Sequence, residues 1–184
     1  MTLNEVLYIL LIIVELTFLI GASVYIIFLI YSWLKGAPYV ATRMKSIKTI
    51  LENTEITDGQ HIVELGSGDG RFLIEVAKQY NITGVGVDIN PIPLLIARLR
   101  ARMQKIHTVS FHLQDIRETD LKKADIIYIF LFPKLVNKIK LQLTKNTKKG
   151  ALIISHGFQI DYLKKYHTKT VEGDTFKTYF YKMS

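Results

Sequence analysis

The sequence predicts a doubly wound α/β domain on a mostly parallel, seven-stranded sheet, preceded by one N-terminal transmembrane helix. Three observations predict it. Residues 6–34 are apolar apart from Glu15 and a few small or hydroxyl side chains. Beyond residue 60, short runs rich in β-formers alternate with segments of helical periodicity, as strand–helix–strand units require. Between the first strand and the first such helix lies HIVELGSGDGR, residues 61–71, with glycine at 66, 68 and 70.

A helix over residues 6–34 would reach ~43 Å, enough to cross a hydrocarbon core of roughly 30 Å with tilt. No basic region precedes the run and it is too long for a signal-peptide core, so it reads as an anchor. The chain divides into an anchor at 1–35 and a domain at 36–184. Lys35, Arg43, Lys45 and Lys48 crowd the far flank while the N-terminal tail has no Lys or Arg, which places the domain on the cytoplasmic side. Tyr31 and Trp33 sit where an aromatic belt would meet that interface. Glu15 falls within the span, either pairing with another helix beside a Thr17/Gly21 face, remaining protonated, or snorkelling from a shifted helix.

Residues 35–38 reach at most about 14 Å, so the domain sits against the membrane. A helix follows over 42–52, with Met44, Ile47, Ile50 and Leu51 on one face. The glycine loop comes next. A dinucleotide-binding loop needs a third glycine where this chain has Arg71, and Asp69 would repel a pyrophosphate. No Gly-Lys-Ser or Gly-Lys-Thr follows, so a P-loop is absent too. An adenosyl ligand with a cationic centre and no phosphate suits the loop better.

Phe72, Leu73, Val76 and Ala77 mark a helix ending near Tyr80, and the second strand, 83–88, ends in Asp88. Pro91 and Pro93 open a helix running to about Met103. Its Arg98, Arg100 and Arg102 are assigned to a solvated face, since no aromatic ladder interleaves with them. The third strand, 109–113, leads into Gln114 and Asp115. A nearly continuous apolar run at 125–132 reads as a strand covered on both faces. Pro133 starts a helix to about Thr144, with Leu135, Val136, Ile139 and Leu143 inward. A fifth strand at 151–155, a brief helix at 161–165 and an antiparallel hairpin around Gly173-Asp174 complete the chain. The glycine loop, Asp88 and Asp115 all fall at carboxyl ends of strands, where doubly wound sheets bind ligands.

With no cysteine, the chain has neither a disulfide framework nor a cysteine-based metal site. Its formal charge is +8, and all 24 Lys and Arg lie at or beyond residue 35 while Glu5 and Glu15 precede it, leaving +10 on the part after residue 34. Such a surface favours anionic partners.

ELGSGDGR resembles the first motif of class I S-adenosylmethionine-dependent methyltransferases, and GVGVDIN and the Gln114-Asp115 turn follow at suitable spacing. The resemblance implies a Rossmann-like fold and S-adenosyl-L-methionine as cofactor. It implies a cofactor-binding set of Glu64, Gly66, Ser67, Gly68, Asp69, Gly70, Asp88, Ile89 and Asp115, with Asp88 accepting the ribose hydroxyls. Over residues 38–158 the chain is similar to the small membrane-anchored protein-lysine methyltransferases of mitochondria, which modify the ATP synthase c subunit or the adenine nucleotide translocase. Pro38-Tyr39-Val40 after the anchor, LGSGDGR, Asn90-Pro91, and FLFP at 130–133 followed by GALIIS carry the likeness. That family commonly has Asp in place of Glu64, and Pro-Ser in place of Ala41-Thr42. The likeness implies methylation of a lysine on an integral membrane protein.

Methyl transfer is an in-line displacement that needs alignment, water exclusion and a neutral nucleophile, and no metal. Tyr39 and His156 are the catalytic candidates; Tyr39, Phe132 and Phe158 could line an apolar channel that favours a neutral amine. Two other readings stay open: a methyltransferase of a membrane-soluble lipid or quinone, and a non-enzymatic adenosyl-ligand sensor. An anchor, and the lack of an Asn-Pro-Pro-Tyr motif, argue against a nucleic-acid substrate.

Overall fold

The computed structural model describes residues 2–34 and 40–184. The connection at 35–39, with Pro38 and the catalytic candidate Tyr39, lies outside the described residues, as do the side chains of Tyr31 and Trp33. The first helix, α1 (Leu3–Leu34), has 32 residues. None of residues 3–30 is buried, and this stretch, with mean hydropathy 2.4, is long and apolar enough to cross a membrane. Thr17 donates its hydroxyl to Ile13 O at 2.7 Å, so it is satisfied within its own helix.

The domain runs α2 (Met44–Glu52), β1 (His61–Leu65), α3 (Arg71–Gln79), β2 (Thr83–Asp88), α4 (Pro91–Met103), β3 (Val109–Leu113), β4 (Ile126–Ile129), α5 (Pro133–Lys138), α6 (Lys140–Lys145), β5 (Leu152–His156), β6 (His167–Val171) and β7 (Thr178–Lys182). Its sheet has the order β3-β2-β1-β4-β5-β7-β6, with β1 to β5 parallel and β7 antiparallel to both neighbours. The expected doubly wound, mostly parallel seven-stranded sheet is therefore present. Strand order reverses between β1 and β4, which opens a crevice at their carboxyl ends.

Side chains alternate along each strand, so β1 feeds two cores. Ile62 packs with Phe72, Leu73, Leu94 and Ala97 beneath α3 and α4, whereas Val63 and Leu65 pack with Ile127, Val136 and Leu143 beneath α5 and α6. Tyr128 from β4 stacks on Phe72 at 3.8 Å between ring centroids, and its hydroxyl lies 3.1 Å from Thr42 Oγ1, tying the start of the domain to the sheet centre.

Several boundaries differ from expectation. The single helix expected over 133–144 is two short ones, broken at buried Ile139, whose φ of −103° and ψ of 15° leave the helical region. The fourth strand stops at Ile129, where its pairing to β1 and β5 ends, so Phe130, Leu131 and Phe132 leave the sheet. Residues 161–166 form a 3-10 helix, and α2 starts at Met44, with Arg43 still extended as its N-cap.

Candidate active site

The glycine loop turns out of β1 with all three of its glycines at positive φ, at +77°, +52° and +70° for Gly66, Gly68 and Gly70. Only glycine takes that geometry without strain. Space matters as well: a Cβ on Gly66 would meet Leu131 Cδ2 at 2.6 Å, and one on Gly70 would meet Phe111 Cζ at 2.5 Å. Gly70 thus allows the close helix-on-sheet approach that a dinucleotide loop obtains one residue later. Gly66 N and Ser67 N both donate to Val87 O at 2.9 Å, which pins the loop on β2.

The loop borders a cleft of about 920 Å³, partly open to solvent, at the carboxyl ends of β1, β2 and β4. Eight of the nine cofactor-binding candidates line it: Glu64, Gly66, Ser67, Gly68, Asp69, Asp88, Ile89 and Asp115. Gly70 lies behind the loop instead, packed on Phe111 and Ala97.

Asp88 is held at the cleft wall by two backbone amides, Gly68 N to Oδ2 at 2.9 Å and Asn90 N to Oδ1 at 2.8 Å. Each oxygen has a second lone pair. Burial pushes its carboxyl up from the ordinary value, and the backbone hydrogen bonds oppose that. Glu64, 4% exposed, is pushed well above the ordinary range, first by burial and then by the charges of Asp69 and Asp88, against a hydrogen bond from Leu73 N. Ser67 Oγ is buried with no hydrogen-bond partner among the described residues. Asp115 receives Arg117 Nη2 at 2.6 Å and Nε at 3.0 Å, so an adenine amino group there would share that carboxylate with an exposed guanidinium.

Asp69 does not offer the ligand a bare charge. Its carboxylate, 5% exposed, takes two hydrogen bonds from Arg71, at 2.8 and 2.5 Å, and pairs with Arg100 at 2.9 Å. Burial alone would raise its pKa, but these two guanidiniums outweigh it and hold the group at about 2. Arg71 also donates to Thr42 O at 3.1 Å, fastening the loop to the segment of Val40, Ala41 and Thr42 that walls the cleft. Two of the three arginines assigned to a solvated face on α4 are thus engaged: Arg100 with Asp69, and Arg98 with Phe111 O at 3.0 and 2.8 Å. Their i, i+2 spacing carries no signal of either partner.

His156 does not line the cleft. It is 2% exposed, its Nδ1 lies 2.9 Å from Thr178 Oγ1, and its ring meets Phe130 edge-on at 4.7 Å, so Phe130 separates it from the cavity. Burial lowers its pKa to about 4. Phe132 and Phe158 do come together, with centroids 5.4 Å apart, and Phe132 is 42% exposed beside the cleft-lining Leu131.

A glycine cradle that a Cβ would fill, an orphaned serine hydroxyl and a half-buried Asp88 carboxylate fixed by backbone amides at the cleft wall fit an adenosyl amino acid. This fold with this site defines the class I methyltransferases that use S-adenosylmethionine. Among solved structures, an RNA methyltransferase from Salinibacter ruber in complex with S-adenosyl-L-homocysteine superposes with a TM-score of 0.73 at 26% identity, covering 78% of this chain and 94% of that one. Residues 64–167 match the family model described as the ANTKMT methyltransferase domain, and the chain belongs to that family. It is 30% identical to a protein-lysine N-methyltransferase of Saccharolobus islandicus, over 70% of this chain and 81% of that protein. It is 28% identical to the human lysine N-methyltransferase named for the ATP synthase c subunit, over 74% of this chain but only 58% of that protein's length.

Proposed function

We propose that the protein transfers methyl groups from S-adenosylmethionine to a lysine of an integral membrane protein, with residues 1–35 as the anchor and 36–184 as the catalytic domain on the cytoplasmic side. The observation that carries this reading is the asymmetry of the cleft. Carboxylates and backbone amides line its β1 and β2 side, while Phe130, Leu131 and Leu135, with Lys138 at their edge, line the side facing α5. When bound, the cofactor supplies an activated methyl group on a sulfonium. Asp88 accepts the ribose hydroxyls, Ser67 Oγ gains a partner, and the loop backbone sets the orientation. Leu131, Phe132 and Phe158 keep water from the acceptor; a lysine ammonium entering that surface is driven toward the neutral amine that attacks.

The Saccharolobus and human relatives, both named as lysine methyltransferases, support the acceptor. Helix α1, the cationic flank after it and the short connection support the anchor and its sidedness. The test incubates isolated membranes with radiolabelled S-adenosylmethionine and the full chain, taking Asp88→Ala as control. Methyl-lysine in the acid hydrolysate of a small membrane protein is the expected outcome; label that follows the organic extract replaces the protein acceptor with a lipid or quinone.

A further inference from the structure

Helix α4 has two apolar faces, and the sheet uses only one. Pro93, Leu94, Ala97 and Ala101 are buried against it. On the opposite side Leu95, Ile96, Leu99 and Met103 are 56, 45, 50 and 83% exposed, with α1 in place. Together with half-buried Ile92 they fall within about 100° of arc over the helix's length of about 20 Å. Large aliphatic side chains gathered in one exposed stripe mark a surface that meets something apolar.

Three observations say what that is. Helix α1, the one described helix able to cross a membrane, comes against α4, so α4 lies on the side of the domain next to the anchor. The five residues from 35 to 39 reach at most about 18 Å, too short for the domain to leave the bilayer. The stripe is also edged by cations. Arg98 and Arg102 border one side and Arg100 the other, and exposed Lys105 follows the helix end. Arg98 and Arg100 are tied to the domain, whereas Arg102 and Lys105 form no ion pair among the described residues. An aliphatic face with basic side chains at its margin is the chemistry of a helix lying in a headgroup layer, its apolar side about 5–10 Å deep.

We propose that α4 docks on an anionic bilayer through Ile92, Leu95, Ile96, Leu99 and Met103, with Arg102 and Lys105 among the phosphates. The proposal rests on the anchor reading and deepens it. The anchor sets the distance of the domain from the membrane; α4 sets its orientation. Ile89 and the N-cap Asn90 line the cleft, so the docked helix begins at the cofactor site and brings the cleft to the lipid surface. A lysine near headgroup height on a neighbouring membrane protein is then within its reach.

The chain has no cysteine, so a single introduced one reports one position. Leu99→Cys on the stripe, Leu19→Cys in α1 and Lys145→Cys on α6, across the sheet, are each labelled with an environment-sensitive fluorophore. Each full chain is reconstituted in phosphatidylcholine–phosphatidylglycerol vesicles containing nitroxide lipids. Docking predicts that the Leu99 and Leu19 probes are quenched at least about twofold more than the Lys145 probe. Quenching at Leu19 with Leu99 matching Lys145 overturns the docking face and leaves the anchor standing. No quenching at Leu19 removes the anchor reading and this proposal with it. A Leu99 probe that shifts to the blue without quenching, together with disulfide dimerisation of the unlabelled Leu99→Cys chain under a mild oxidant, overturns the proposal in favour of a second copy on the stripe.

Discussion

On the β1–β2–β3 side of the cleft, three aspartates are held by their neighbours: Asp88 by backbone amides, Asp69 by two guanidiniums, Asp115 by Arg117. Across the reversal of strand order, the β4 side offers Phe130, Leu131 and Leu135 beside Lys138, with Phe132 next to them, and its histidine is withdrawn behind Phe130. The difference follows the two tasks of methyl transfer. A cofactor with many polar atoms is gripped by fixed donors and acceptors, whereas the acceptor amine is made reactive by losing water and a proton. In the proposed function, one side supplies affinity and the other supplies reactivity.

That division can be broken. Asp88→Ala should have the largest effect: losing hydrogen bonds to a charged acceptor, at about 1.5–3 kcal/mol, lowers cofactor affinity by about 10- to 100-fold in calorimetric titration, with the far-ultraviolet circular dichroism retained. Wild-type affinity in that variant would remove the polar side as the grip. Gly70→Ala should cost about 2–3 kcal/mol of stability in urea unfolding, because it puts a Cβ at φ +70° against Phe111. It acts through packing, so at low urea the folded fraction should still bind cofactor.

Phe132→Ser tests the apolar side. It should lower kcat/KM for the methyl acceptor about tenfold while the Kd for S-adenosylmethionine stays put, and the loss should shrink at high pH, where more of the lysine is already neutral. A matching loss of cofactor affinity would dissolve the distinction between the sides. His156→Asn should change kcat by less than about threefold and leave the pH profile of transfer unshifted, as expected for a buried group that serves packing. Loss of an ionisation from that profile would return His156 to the catalytic group.

Helix α4 is half legible in the sequence: its limits follow from Pro91 and the periodicity to Met103, and Pro93, Leu94, Ala97 and Ala101 repeat at core spacing. Its arginines are not, because nothing near residue 100 says that residue 69 lies opposite. The Asp69 carboxylate likewise reads from the sequence as a charge awaiting a ligand, and the fold gives it two cationic partners. Strand-by-strand alternation, the glycine spacing and the acids at strand ends are local patterns, set within a few residues by backbone sterics and side-chain direction. Those patterns are enough to give the order of elements, the doubly wound class and eight of the residues that line the cleft. The insertion of β7 between β5 and β6, the break at Ile139, the retreat of His156 behind Phe130 and the exposed stripe on α4 emerge only in the folded chain. Each depends on which distant segments compete for the same surface, and that competition is settled by packing once the chain has closed on itself.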